Sequence, residues 1–161
     1  MAERPAVNTS PLIFLTKVGL LDLLQVVSEE VVVPAAVSIE IQQYRAIDIT
    51  VQALAQSNWL FVVETPPVPE QISAYNLDPG ESAVLTWAYV HPGTEGIVDD
   101  LAARRCAASL GIPLRGTLGL VLIAKQQGKI PSARLVLEQL RLSDMYLSDR
   151  VMNQALALVG E

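Results

Sequence analysis

The stretch VNTSPLIFL, residues 7–15, joins two kinds of apolar run. Ahead of its asparagine, PAVN is short and apolar, the pattern of a buried strand. Behind it, the apolar residues of SPLIFLTKVGLLDLLQVV recur at helical spacing, with Gly19 dividing the run. Ser10 before Pro11 reads as an N-cap followed by proline at the first helical position. A strand is therefore expected to end at Asn8, with a helix beginning two or three residues later. In an open α/β sheet that place, past the carboxyl end of a strand, borders the ligand crevice. The residue there is an asparagine, which offers an oxygen but no charge.

The same alternation continues outward. EVVVP, WLFVVE, GIVDD and IPLRG are short, apolar and rich in β-branched residues, as buried parallel strands are. PAAVSIEIQQYR, ITVQALAQS, DPGESAVLTWAYV, LAARRCAASLG, TLGLVLIAKQQG and IPSARLVLEQLRL have helical spacing, and Gly111 and Gly128 suit helix ends. TPPVPEQISAYNL is a loop with room for a helical turn, and HPGTE is a turn. MYLSDRVMNQALALVG reads as a strand residue or two and a final helix. The fold class expected is α/β: a short central parallel sheet of about four or five strands with helices on both faces, in one domain over residues 1–161.

Composition narrows the function. Of 161 residues, 51% are hydrophobic and 17% charged, more apolar material than one small core hides, so a homodimer is expected. No apolar run reaches the roughly 20 residues of a membrane span. The N-terminal residues lack the pattern of a secretory signal. Cys106 is the only cysteine and sits in a helical pattern, so no intrachain disulfide can form and a packed thiol in a cytoplasmic protein is expected. His91 is also alone. Neither GxGxxG nor a P-loop occurs, which argues against a small-molecule α/β enzyme of unrelated chemistry.

The net charge of −6 is unevenly spread. Residues 1–100 carry three basic and thirteen acidic side chains, whereas residues 101–143 carry seven basic ones against Glu138 alone. Arg104, Arg105, Arg115 and Lys125 lie in this basic segment, which can hold phosphates although the chain as a whole is acidic. The alternative is that these are only the solvated faces of helices.

Several polar residues fall at strand ends or helix starts: Asn8, Glu81 in DPGE, Asp99 and Asp100 after GIV, and Thr117 after IPLRG. Glu40 lies amid AVSIEI. Each has a structural alternative. Asp78 and Glu81 are spaced as a capping box. Asp99 or Asp100 can cap the next helix. Thr117 can be an N-cap, Asn8 can hold a turn, and Glu40 can face solvent. Taken together, carboxylates gathered past the carboxyl ends of parallel strands would repel one another unless a cation joined them. Oxygen donors of this kind suit Mg²⁺ or Mn²⁺.

These residues resemble the PIN domains, a metal-dependent ribonuclease fold found in many toxins of bacterial toxin–antitoxin pairs. The likeness is carried by VNTSPLIFLTKVGLLDLL, VPAAVSIEI, LDPGESAVL, VDDLAARRCAASLGIPLRGTLGLVLIAKQQGKIPS and YLSDRVMNQALALVGE. It is closest to a PIN-like subgroup of uncharacterised prokaryotic proteins with NTSPLI as first motif. The resemblance implies a catalytic set of Asn8, Glu40, Glu81, Asp99, Asp100 and Thr117. Glu40, Glu81 and Asp99 or Asp100 are implied as ligands of Mg²⁺ or Mn²⁺, with RNA held by Arg104, Arg105, Arg115 and Lys125. Active PIN domains carry aspartate where Asn8 stands. Two functions follow as expectations: an endoribonuclease, as the toxin partner of a small antitoxin protein, or a catalytically inactive nucleic-acid-binding or regulatory module.

Overall fold

The computed structural model describes residues 4–43 and 48–161. Five strands form one parallel sheet in the order β3-β2-β1-β4-β5. They are β1 (Ala6–Val7), β2 (Val31–Pro34), β3 (Leu60–Val63), β4 (Gly96–Ile97) and β5 (Leu114–Arg115). The helices are α1 (Thr9–Lys17), a 3₁₀ helix (Leu21–Val26), α2 (Ala35–Gln43), α3 (Asp48–Gln56), α4 (Glu70–Ser73), α5 (Pro79–Val90), α6 (Leu101–Leu110), α7 (Thr117–Gln126), α8 (Ala133–Leu142) and α9 (Asp149–Leu158). The expected alternation and fold class are those observed. The end of the helix expected through Tyr44 and Arg45 lies outside the described residues.

β1 is two residues long and has neighbours on both sides: Ala6 is in register with Val32 and with Gly96, and Val7 with Ile97. The chain moves outward from β1 to β2 and β3, then returns through α5 to the other side of β1. Parallel crossovers are right-handed, so helices joining strands in opposite directions cover opposite faces. α5 packs on β1, β2 and β4 and against α2 and α6, while α1 packs on α3 and the 3₁₀ helix, which α7 contacts. Leu12, Leu15, Val32, Leu85, Ile97 and Leu120 are fully buried between these layers. Cys106 is buried too, and burial raises its thiol pKa.

Three local expectations are corrected. α1 begins at Thr9, with Asn8 rather than Ser10 as N-cap. The backbone N–H of Asn8 is bonded to Ile97 O at 2.9 Å, so the residue completes the sheet and starts the helix at once. Pro11 still lies in the first turn, where no intrahelical N–H is needed. Gly116, not Thr117, is the N-cap of α7. Residues 145–148 form no strand. Met145 spends its N–H on Leu140 O at 3.1 Å, closing α8. Gly19, with φ of 72°, ends α1 and separates it from the 3₁₀ helix.

The reversal of strand order between β1 and β4 is a topological switch point, where the loops leaving the two strands part and open a crevice. Asn8 follows β1 and Asp99 follows β4 at that crevice.

Candidate active site

Asn8 has extended backbone and does not cap α1 with its side chain. It is 5% exposed, and its Oδ1 is buried without a hydrogen-bond partner. Glu40 comes from α2 and receives a hydrogen bond from Thr9 Oγ1, at 3.0 Å to Oε2. The two side chains meet over the first turn of α5. A Cβ added to Gly80 would lie 2.9 Å from Asn8 Oδ1 and 2.9 Å from Glu40 Oε2. Packing of α5 on α2 and β1 thus brings Gly80 against both an amide oxygen and a carboxylate oxygen.

Glu81 is the next residue of α5. Asp78 caps this helix, accepting from Glu81 N at 2.8 Å, as the DPGE pattern predicts. The carboxyl of Glu81 is pushed from 4.5 up to about 8, first by burial and then by the charges of Asp78 and Asp100, with Glu40 adding to them. Four acidic side chains therefore share one neighbourhood around the α5 N-terminus. Asp100 also caps α6 through Oδ2, accepting from Ala103 N at 3.1 Å.

Asp99 is held differently. Its Oδ1 accepts from Thr117 N at 2.7 Å and its Oδ2 from Thr117 Oγ1 at 2.8 Å, which ties the end of β4 to the start of α7. Arg104 reaches back from α6, so that its Nη2 and Asp99 Oδ1 both crowd the space beside the Cα of Gly116.

The sequence-derived residues thus fall into two groups. Asn8, Glu40, Glu81 and Asp100 surround the start of α5, and Asp99 with Thr117 forms a pair at the β4 end. Among the described residues no three Asp, Glu, His or Cys side chains converge tightly enough to hold a metal ion by themselves. The unpartnered Asn8 oxygen beside Glu40 supplies a further donor, and the set consists of oxygens, which suits a hard divalent cation. A cavity of about 220 Å³ lined by Leu20, Asp22, Leu23 and Lys129, among others, contains none of these residues.

The four basic residues also divide. Arg104 and Arg105 are exposed on α6 and make no ion pair among the described residues. Arg115 is engaged by Glu95 through two hydrogen bonds of 2.9 and 2.8 Å, which raise the guanidinium pKa. Lys125 bonds Pro131 O at 2.8 Å and pairs with Glu161 at 3.5 Å. Any phosphate contact by Arg115 or Lys125 competes with these partners.

Sequence reasoning missed Thr9, Gly80 and Gly116. The only signal for Thr9 is its place beside Asn8. Gly80 and Gly116 are marked by standing in the first turn and at the N-cap of helices otherwise well supplied with helix formers.

A family model described as DUF3368, PIN domain, matches residues 5–161. No curated protein matches the chain. PIN domains are nuclease-type domains that generally use divalent metal ions.

Proposed function

Because this chain belongs to the PIN-domain family, we propose that it is a metal-dependent endoribonuclease using Mg²⁺ or Mn²⁺. Glu40, Glu81 and Asp99 or Asp100 would hold the ion, and Asn8 would add a neutral oxygen. Such an ion supplies a nucleophile at neutral pH by acidifying water and stabilises the leaving oxygen of a phosphodiester. The chain's own groups do the rest. Thr117 holds the Asp99 carboxylate in one orientation, and Arg104, beside it, meets a phosphate oxygen of the RNA. Arg105 contacts the backbone farther along α6, where salt weakens its contribution.

The observation that carries this reading is the buried, unpartnered Oδ1 of Asn8, seated with Glu40 over Gly80 at the switch point. A buried carbonyl oxygen is rarely left without a donor or ligand. The test is cleavage of a mixed-sequence RNA with Mn²⁺, with EDTA, and by Glu40→Gln. Cleavage by wild type with Mn²⁺ alone is expected, with loss in the variant. Equal cleavage in all three would refute it.

One feature favours a second reading, a binding module without catalysis. Asn8 removes one negative charge from the set, and the described carboxylates do not converge in threes. RNA retained by the protein but left uncut with Mn²⁺ would favour that module.

A toxin role, with a small antitoxin as partner, belongs to the same proposal, and co-purification of a short neighbouring gene product tests it. A homodimer does too, supported by exposed Leu135, Leu142, Tyr146 and Leu158 on or between α8 and α9. Sedimentation giving only monomer at micromolar concentration would refute it. No helix among the described residues is long and apolar enough to cross a membrane.

A further inference from the structure

We infer that Thr9 and Gly80 are positioning residues of the acidic site: Thr9 fixes Glu40 beside Asn8, and Gly80 leaves the space in which their oxygens meet. This rests on the metal-site proposal above and adds two residues that touch neither substrate nor reacting atoms.

Glu40 lies on a partly exposed face of α2, where a glutamate has several rotamers open to it. Thr9 removes that freedom. It is 5% exposed, and it spends its hydroxyl on Glu40 Oε2 at 3.0 Å. Thr9 is also the first residue of α1 and follows Asn8 directly. One turn of backbone therefore sets both the orphan amide oxygen and the carboxylate beside it.

Gly80 has no conformational reason to be glycine. It is the second residue of α5, and it is absent from the glycines with positive φ. A glycine inside a helix is less favourable than alanine there, so the reason lies in space. Any side chain would put a Cβ 2.9 Å from Asn8 Oδ1, 2.9 Å from Glu40 Oε2 and 3.4 Å from Val37 Cγ2. Carbon–oxygen contacts ordinarily lie at roughly 3.3 Å or more. The two closest atoms are side-chain ends, so an alanine would drive these two oxygens away from the place where they now lie.

Mn²⁺ alone is the probe. Its binding is measured by titration calorimetry, and thermal melting is recorded with Mn²⁺ and with EDTA, for wild type, Glu40→Gln, Thr9→Val, Thr9→Ser and Gly80→Ala. Circular dichroism establishes that each variant is folded. Glu40→Gln should lose most of the Mn²⁺ affinity. Thr9→Val should weaken it roughly tenfold, the size of one hydrogen bond to a charged group, and Thr9→Ser should stay within about twofold. Gly80→Ala should weaken it at least as much as Thr9→Val. If Gly80→Ala does not fold, the contrast between valine and serine at position 9 decides the matter. If wild type binds no Mn²⁺, the metal-site proposal falls and this inference falls with it. If wild type binds and Glu40→Gln does not, while Thr9→Val binds as wild type does, the inference alone is wrong. Equal weakening in Thr9→Ser and Thr9→Val also overturns it, because the hydroxyl would then not be what holds Glu40.

Discussion

Thr117 holds both oxygens of Asp99, the backbone N–H at 2.7 Å and the hydroxyl at 2.8 Å. The threonine is fully buried, and the aspartate lies in the short loop between β4 and α6. The pair therefore does two things at once. It satisfies a free N–H in the first turn of α7, and it fixes one carboxylate at the crevice.

Thr117→Val keeps the N–H and removes the hydroxyl at nearly constant volume. Asp99 is only partly buried, so water can replace some of the lost bond. The expected destabilisation is about 1–2 kcal/mol, at the lower end for hydrogen bonds to charged groups. Urea titration should give a lower midpoint with an unchanged slope, and Thr117→Ser should restore most of it. An unchanged midpoint in the valine variant would show that the pair contributes nothing to stability.

Glu81 makes metal-free stability depend on pH. Its carboxyl is raised from 4.5 to about 8, chiefly by burial and then by Asp78 and Asp100. A group with a raised folded pKa contributes stability that is fully present below its unfolded value and is lost as pH rises through the folded value. With EDTA, the melting temperature should therefore fall between pH 4.5 and about 8. Glu81→Gln should flatten that decline and melt higher than wild type at the alkaline end. With Mn²⁺ the trend reverses, because the cation needs the ionised carboxylate and binding releases the proton. The gap between the Mn²⁺ and EDTA curves should widen across the same window. Parallel curves would exclude Glu81 from the ion's ligands.

Glu161 binds the start of α8. Its carboxylate is lowered to about 2, first by the N–H of Ala133, which burial opposes, with Arg134, Ser132 and Lys125 adding to the lowering. Here the sign is opposite: the stability is present above the unfolded pKa and lost as pH falls toward 2. Glu161→Gln should melt lower than wild type at neutral pH, and the two should converge on acidification. Equal melting temperatures at neutral pH would mean that the α8 terminus is satisfied equally well by water.

What the sequence discloses and what it hides follow one division. Strand and helix identity rest on local pattern, so β2, α5 with its Asp78 cap, and α6 with Gly111 as its left-handed C-cap are all legible. The start of α1 is not, because Asn8 serves the sheet and the helix at once, and its bond to Ile97 comes from a strand 89 positions away. In SIEI the apolar neighbours do not tell which way Glu40 faces, since Ile39 is itself 55% exposed. Glu40 owes its place to Thr9 and to the approach of α5. Gly80 stands out in the sequence only as a glycine in a first turn, and its role exists only once α5 lies across α2. Of the basic segment, charge was legible but pairing was not: Glu95 lies outside it and takes Arg115.

Asn8→Asp tests the charge balance of the site directly. Asn8 Oδ1 is buried, lacks a donor, and shares the space over Gly80 with Glu40 Oε2. A carboxylate in its place keeps the shape and adds a negative charge where Glu40, Glu81 and Asp100 already interact. Without metal, burial and repulsion both oppose that charge, so the variant should melt lower in EDTA than wild type, and the deficit should grow with pH as the new group ionises. With Mn²⁺ the same charge attracts the cation at short range in a partly desolvated place, and affinity should rise. A tenfold gain in affinity adds about 1.4 kcal/mol to the stabilisation at saturating Mn²⁺. The two effects have opposite signs, so the separation between the EDTA and Mn²⁺ melting temperatures should be larger in Asn8→Asp than in wild type. If both temperatures stay where they are in wild type, the Asn8 oxygen faces no cation, and Asn8 serves only to join β1 to α1.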